Sequence, residues 1–258
     1  MPELPDLEVY SINLNKQLKG KKVQSLRLLS KKNANMPEAK LNKELKGKTI
    51  TKVMRNGKEL EFIMGKAHLS IHFMLHGKMI LFKDKNEEKH TLFELYFTDN
   101  TGMALSDYQK KARITFNPGS KDVPDALSKE LNYSYLKKLI NSKKIAIKKL
   151  LMDQHYIRGI GNAYADEILW NAGISPFSVS NKIPDNKIKQ LAGSIKSVVK
   201  DAIKKIQKEE PGLIGGEVRD FLKIHNAKNK KSPNGSEIHH TMLNSRITYF
   251  TNEQQEYK

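Results

Sequence analysis

The 258-residue chain carries 46 Lys and Arg against 28 Asp and Glu, a formal charge of +18 with histidines neutral, and no cysteine. The basic excess excludes an acidic or charge-balanced protein and points to a polyanionic partner, nucleic acid or an anionic membrane surface. The lack of thiols excludes a disulfide framework and a thiolate zinc site. A hydrophobic content of 38% and a charged content of 29% suit a soluble globular chain, and no run of about 18 apolar residues offers a membrane span. The first ten residues, Met1 to Tyr10, have neither the basic nor the apolar region of an export signal. A cytoplasmic, nucleoid-associated protein is expected.

Leu7, Ile12, Leu14 and Leu18 recur near helical spacing behind two prolines and predict a helix over 6–19. Strand-length stretches rich in Val, Ile, Phe and Tyr follow at Lys22–Leu29, Glu59–Met64, Ser70–Phe73, Lys78–Phe82, Thr91–Tyr96 and Arg113–Phe116. Between them stand turn signals at Asn56-Gly57, His76-Gly77, Lys83–Asn86, Asp99–Gly102 and Asn117–Ser120. This half reads as an antiparallel sandwich or barrel capped by one helix. Beyond residue 120 the leucines at 127, 131, 136 and 139, then Ile145, Ile147, Leu150 and Leu151, fall mainly at helical spacing. Two further helices are predicted at Asn162–Ala172 and Asp185–Glu210, the second with a lysine-rich face. The expected domains are 1–120 and, after the junction Lys121–Pro124, a helical part over 125–221, with a cleft between them as the default binding site. Residues 222–258 revert to loop and strand. Asn234-Gly235 signals a hairpin turn and Arg246–Phe250 its return strand, giving a small basic β-hairpin. Lysine pairs recur in both halves; each alone is an ordinary solvated face, and together they suit a phosphate-tracking surface.

Candidate chemistry starts at Pro2, because removal of Met1 would leave a secondary α-amine. An α-amino group has a reference pKa of ~8 against ~10.4 for lysine, so more of it is nucleophilic near neutrality. Attack on a sugar C1′ would displace a base and leave an iminium ion, which favours elimination of phosphate. Glu3 could protonate the opening sugar oxygen or serve the helix as a cap, whereas Asp6 reads as a cap or helix-dipole partner. Lys58, after Asn56-Gly57, is placed at a hairpin tip, where it could donate to phosphate or simply face solvent. Asn162 follows Gly159-Ile-Gly at a helix start, a geometry for anion binding as well as for ordinary capping. Arg246 offers a planar fork for phosphate. His68, His72 and His76 read as buried, hydrogen-bonded residues. The adjacent His239 and His240 point to opposite faces of a strand, and no metal cluster is called for.

Taken together, Pro2-Glu-Leu-Pro-Asp-Leu-Glu8 resembles the N-terminal signature of the formamidopyrimidine-DNA glycosylase and endonuclease VIII family. Leu151-Met-Asp-Gln154 with Gly159-Ile-Gly-Asn-Ala-Tyr-Ala-Asp-Glu-Ile168 resembles its helix–two-turn–helix signature. Asn244-Ser-Arg-Ile-Thr-Tyr-Phe250 resembles the last strand of its DNA-binding finger. The resemblance implies an α+β protein: an N-terminal antiparallel β-sandwich with an N-terminal helix, a helical helix–two-turn–helix domain, and a terminal β-hairpin finger over 222–258. It implies Pro2 as Schiff-base nucleophile, Glu3 as acid/base, Lys58 as the hairpin lysine, and Asn162 and Arg246 as phosphate holders beside an everted nucleotide. The implied partner is damaged double-stranded DNA, bound by a monomer with no cofactor and no membrane.

Four departures qualify the resemblance. The four zinc-binding cysteines of the family finger fall near Ser232, Asn234, Thr251 and Gln254, so the finger is of the zincless type, ordered by packing, turns and DNA. Leu75 stands at the usual methionine wedge; Asp107–Ala112 replaces the segment that probes the opposite strand, where Lys110 keeps a polar contact and neither Lys111 nor Ala112 can stack. Gly215–Phe221 runs almost directly into Leu222–His225, leaving little room for a loop over 8-oxoguanine and favouring oxidised pyrimidines or ring-opened purines, or a loosely enclosed lesion pocket. Asp6 stands where the signature usually has Glu. The reading is a bifunctional DNA glycosylase and apurinic/apyrimidinic lyase. Its rivals are a non-catalytic binder of damaged or structured DNA derived from the family, and a ribosomal or RNA-structural protein, which would account for the charge but not for the paired terminal motifs.

Overall fold

Pro5 stands in the first turn of helix α1 (Leu4–Leu18), where backbone N–H groups have no partner inside the helix anyway. Asp6 Oδ2 accepts the Glu3 N–H at 2.8 Å, so the helix starts two residues before the apolar spacing alone indicates. Leu7, Tyr10, Leu14 and Leu18 line its buried face. The strands follow in chain order: β1 (Val23–Leu28), β2 (Lys52–Asn56), β3 (Glu59–Met64), β4 (Ala67–His72), β5 (Lys78–Lys83), β6 (Thr91–Phe97), β7 (Thr101–Ser106) and β8 (Arg113–Phe116). They form two four-stranded antiparallel sheets, ordered β1-β6-β7-β5 and β2-β3-β4-β8. Cross-strand pairs such as Phe93↔Leu105 in one sheet and Leu60↔Ile71 in the other join a single hydrophobic cluster that includes Leu7, Tyr10 and Leu14.

This computed structural model describes residues 1–258, and the chain packs as two units. The first is Met1–Lys121 with Ile206–Glu217, the second Asp122–Lys205 with Val218–Lys258. The segment 206–217, grouped with the helical part from sequence, belongs to the first unit for a local reason. Asn13 Nδ2 donates to Leu213 O at 2.9 Å, the Tyr10 hydroxyl donates to Gly216 O, and Leu213 and Ile214 pack against the hydrophobic cluster. Helix α2 (Glu38–Leu45), absent from the elements expected from sequence, buries only Leu41 and Leu45, a pattern too sparse to stand out.

In the second unit lie α3 (Tyr133–Asn141), α4 (Ile147–Met152), α5 (Asn162–Asn171) and, as far as Lys205, helix α6 (Asp185–Glu209), whose last turn belongs to the first unit. Ile188, Leu191, Ile195, Val199 and Ala202 run along the buried face of α6 at helical spacing. The turns between α4 and α5 are tied by Gln154, which donates to Met152 O and Ile160 O and accepts from Gly159 N. No helix is long and apolar enough to cross a membrane.

The terminal hairpin differs from the sequence expectation. Its strands are β9 (Ile238–Leu243) and β10 (Arg246–Thr251), joined by Asn244 and Ser245 at φ +50° and +59°. Both central residues of a two-residue turn with positive φ match the twist of antiparallel strands. Asn234-Gly235 does make a turn, with Ser232 N donating to Ser236 O at 2.8 Å and Lys231 bridging Glu237, but it leads into β9 rather than across to β10.

Candidate active site and nucleic-acid interface

Pro2 and Glu3 are both buried at the start of α1, Glu3 only 4% exposed. The ammonium of Met1 pairs with the carboxylate of Glu217. On the next turn Glu8 Oε2 accepts from Arg55 Nε at 2.7 Å, and Arg55 Nη1 reaches Gly57 O at 3.1 Å. Arg55 thus ties α1 to the β2–β3 turn, where Gly57 takes φ +63° and Lys58 follows, half-buried, at the hairpin tip expected for it.

Beside that tip the strand register sets Glu59 opposite His72, and His72 opposite Arg113. Glu59 accepts from Ser70 and from Lys121, each at 2.7 Å, and these donors hold its carboxyl below the usual range despite burial, which pushes the other way. Burial above all pushes the His72 imidazole pKa down; Lys58, Lys121 and Arg113 add to this and Glu59 opposes it. The neutral ring accepts the Met74 N–H on Nδ1 at 3.0 Å. His68 and His72, at alternating positions of β4, and His76, in the turn that follows it, are half-buried rather than buried.

That bond starts the turn carrying Leu75. Met74 takes φ +53°, and Gly77 N donates to Phe73 O at 2.9 Å. A Cβ on Gly77 would stand 2.4 Å from Phe73 O, so the turn requires glycine. Leu75 is left 51% exposed. A second turn presents Lys110, exposed at φ +54°, and is built on the buried Asp107, whose carboxylate accepts from Gln109, Lys111 and Ala112 N–H at 2.8–2.9 Å. Ala112 is fully buried and cannot stack on anything. Tyr108 can: it is 57% exposed, with its ring 4.7 Å from that of His76. The expectation from sequence rested on positions 110–112 and missed this aromatic, although it stands in the same hexapeptide.

In the second unit Asn162 opens α5 and Arg246 opens β10, and the structure brings them together. Asn162 Nδ2 donates to Ile247 O at 2.9 Å, while its Oδ1 is buried without a partner. Arg246 is exposed and shares with Lys148, Lys149, Met152, Asp153, Leu243 and Asn244 a cavity of about 270 Å³. What fixes this geometry is a buried ion pair with no signature in the sequence. Lys148 Nζ lies 2.7 Å from Asp166 Oδ1 and donates to Thr248 Oγ1 at 2.8 Å; Asp166 Oδ2 accepts from Tyr249 N at 3.0 Å and faces His225 Nδ1 at 2.7 Å. One carboxylate therefore joins α4, α5, β10 and the 222–226 turn.

The positions of the missing cysteines are occupied by a hydrogen-bonded web. Glu253 accepts from Trp170 Nε1 at 2.8 Å, Thr251 Oγ1 at 3.0 Å and Ser232 Oγ at 3.1 Å. Gln254 accepts from Thr251 N at 2.9 Å and donates to Ile174 O at 2.8 Å.

Comparison with known proteins agrees with this arrangement. Residues 1–114 match the profile of the formamidopyrimidine-DNA glycosylase N-terminal domain, and residues 123–210 that of the formamidopyrimidine-DNA glycosylase H2TH domain. The formamidopyrimidine-DNA glycosylase of Lactobacillus helveticus is 33% identical over 234 residues, covering 86% of this chain and 82% of the relative. That of Ligilactobacillus salivarius is 32% identical over 206 residues, covering 76% and 75%. The chain belongs to the formamidopyrimidine-DNA glycosylase family. Glycosylases of this family in complex with DNA share the fold along the whole chain. A complex of Lactococcus lactis Fpg with DNA containing an abasic site has a TM-score of 0.89 at 27% identity, covering 99% of this chain and 100% of that one. A second complex of the same enzyme, with DNA containing an oxidised pyrimidine, gives 0.89 at 28% with the same coverage. The chain is thus a family member of the base-excision repair type, with a helix–two-turn–helix domain and a zincless finger.

Proposed function

We propose that this protein is a bifunctional DNA glycosylase and apurinic/apyrimidinic lyase that removes oxidised bases from duplex DNA, acting as a monomer at the nucleoid. The observation that carries the reading is Pro2 heading α1 beside the buried Glu3, in a chain whose fold matches DNA-bound glycosylases from end to end. With Met1 removed, the amine of Pro2 attacks C1′ of an everted nucleotide; the base leaves with the electron pair of the glycosidic bond and takes up the proton that the nitrogen gives up, which frees the nitrogen lone pair. Glu3 protonates the sugar oxygen as the ring opens, leaving an iminium ion. The ion acidifies the adjacent sugar C–H, and phosphate departs by elimination.

Lys58, in its basic surround of Lys121 and Arg113, takes a phosphate or a proton at the β2–β3 tip. Asn162 and Arg246 hold phosphates, and the hydrogen bond from Asn162 to the carbonyl of Ile247, next to Arg246, supports that pairing. Leu75 is the wedge that fills the vacated stack, Lys110 keeps a polar contact, and Tyr108 supplies the stacking ring that positions 110–112 lack. The short run from Gly215 to Phe221 favours oxidised pyrimidines and ring-opened purines as lesions. Borohydride reduction of a mixture with abasic duplex tests the scheme. Protein verified by mass to begin at Pro2 is expected to give a covalent complex and Pro2→Gly to give far less; no complex from the verified protein would end the lyase reading.

A further inference from the structure

The carboxylate paired with the terminal ammonium comes from outside α1. Asp6 is engaged by the Glu3 N–H and Glu8 by Arg55, whereas Glu217 pairs with the nitrogen of Met1. Its position is built rather than incidental. The strand of chain that carries it is fastened to α1 by Asn13 on Leu213 O and by Tyr10 on Gly216 O, and Gly215 lies against the backbone of Met79. Its side chain is 30% exposed, and the nitrogen it pairs with stands one residue, about 3.8 Å of chain, before that of Pro2.

We propose that Glu217 is a further catalytic residue, the carboxylate that engages the nitrogen of Pro2 in the processed chain and carries its proton during attack. The assignment rests on the amine-nucleophile reading above. On an abasic aldehyde the amine lone pair forms the N–C1′ bond while the carbonyl π pair moves to oxygen. The adduct then bears N⁺–H and O⁻. Glu217 takes the proton from nitrogen and returns it to oxygen, regenerating the carboxylate and leaving a neutral carbinolamine. A second proton, from Glu3, releases the oxygen as water, and the nitrogen lone pair closes the iminium. Without a carboxylate at the nitrogen the first transfer falls to solvent, and positioned proton transfer contributes on the order of 10²–10⁴-fold.

The test uses full-length protein with Pro2 exposed, in single-turnover borohydride trapping on abasic duplex, with affinity measured separately on a tetrahydrofuran-containing duplex that cannot form an imine. Glu217→Gln and Glu217→Ala are expected to slow trapping on the order of 10²-fold with affinity unchanged. Added formate is expected to restore part of the rate to Glu217→Ala and none to the wild type. Trapping by Glu217→Gln at the wild-type rate would overturn this assignment alone. So would a fall in affinity that matches the fall in rate, or the absence of any rescue by formate. No trapping by the wild type would overturn the amine-nucleophile reading and the assignment with it.

Discussion

Lys148 and Lys149 are adjacent in sequence and opposite in circumstance: Lys148 is 1% exposed against Asp166 at 0%, while Lys149 faces solvent. Two charges this deeply buried are stable only as a pair, because the penalty for desolvating either alone exceeds any residual hydrogen bonding. Lys148→Met is therefore expected to destabilise the second unit by about 3–5 kcal/mol, read as an earlier urea transition in tryptophan fluorescence. Replacing both partners with apolar residues should recover much of that loss, and an unchanged midpoint in the single variant would show that the pair does not hold the unit together. Sequence periodicity reads a lysine pair as a solvated face, since only a fold can show that one member meets a carboxylate 18 positions along. Pro2, Glu3 and Asn162 stand out in the sequence as candidates because the residues flanking them form long motifs. Tyr108 and Glu217 lie in segments where this chain departs from the family pattern, and their placement depends on contacts made by Asp107, Tyr10 and Asn13.

At the scale of the element, the finger shows how an isolated hairpin gains order without a metal. Two strands alone are marginal, and here one carboxylate gathers the tail of β10, the turn before β9 and the indole of α5. Burial raises the Glu253 pKa, but the hydrogen bonds from Trp170, Thr251, Ser236 and Ser232 outweigh it and leave the carboxyl below its ordinary value. A carboxyl depressed in the folded state stabilises the fold above the unfolded pKa of ~4.3, and the contribution is lost as pH falls through the lower, folded value. Trp170 is the only tryptophan in the chain, so its fluorescence should report a step below pH ~4.3 that Glu253→Gln removes. The same step in the variant would show that another group titrates there. The strands themselves were legible where β-branched and aromatic residues cluster, as at β3 and β8. They were not where the chain offers Thr101-Gly-Met-Ala-Leu-Ser106, a poor intrinsic strand that forms because β5 and β6 flank it. The hairpin turn was misplaced for a related reason: Asn234-Gly235 is the stronger local signal, but the pairing of Leu243 with Arg246 puts the crossing at Asn244-Ser245.

For the molecule as a whole, the charge of +18 and the exposed basic groups of both units suit phosphate contact, and on the proposed duplex partner a large share of the affinity is expected to come from it. Each phosphate neutralised releases condensed counterions, so the logarithm of the binding constant falls with the logarithm of salt at a slope of about −0.9 per contact on duplex DNA. Charge alone does not say which cations make those contacts. Lys148, although basic, is buried against Asp166 and should add nothing to the slope, whereas Arg246 is exposed at the start of β10. Arg246→Ala is accordingly expected to weaken binding to damaged and undamaged duplexes alike and to shallow the slope by about 1. Fluorescence anisotropy across a salt series measures both effects. An unchanged slope in Arg246→Ala would remove that residue from the phosphate contacts, and loss of affinity for the damaged duplex alone would move it from backbone binding to recognition of the lesion.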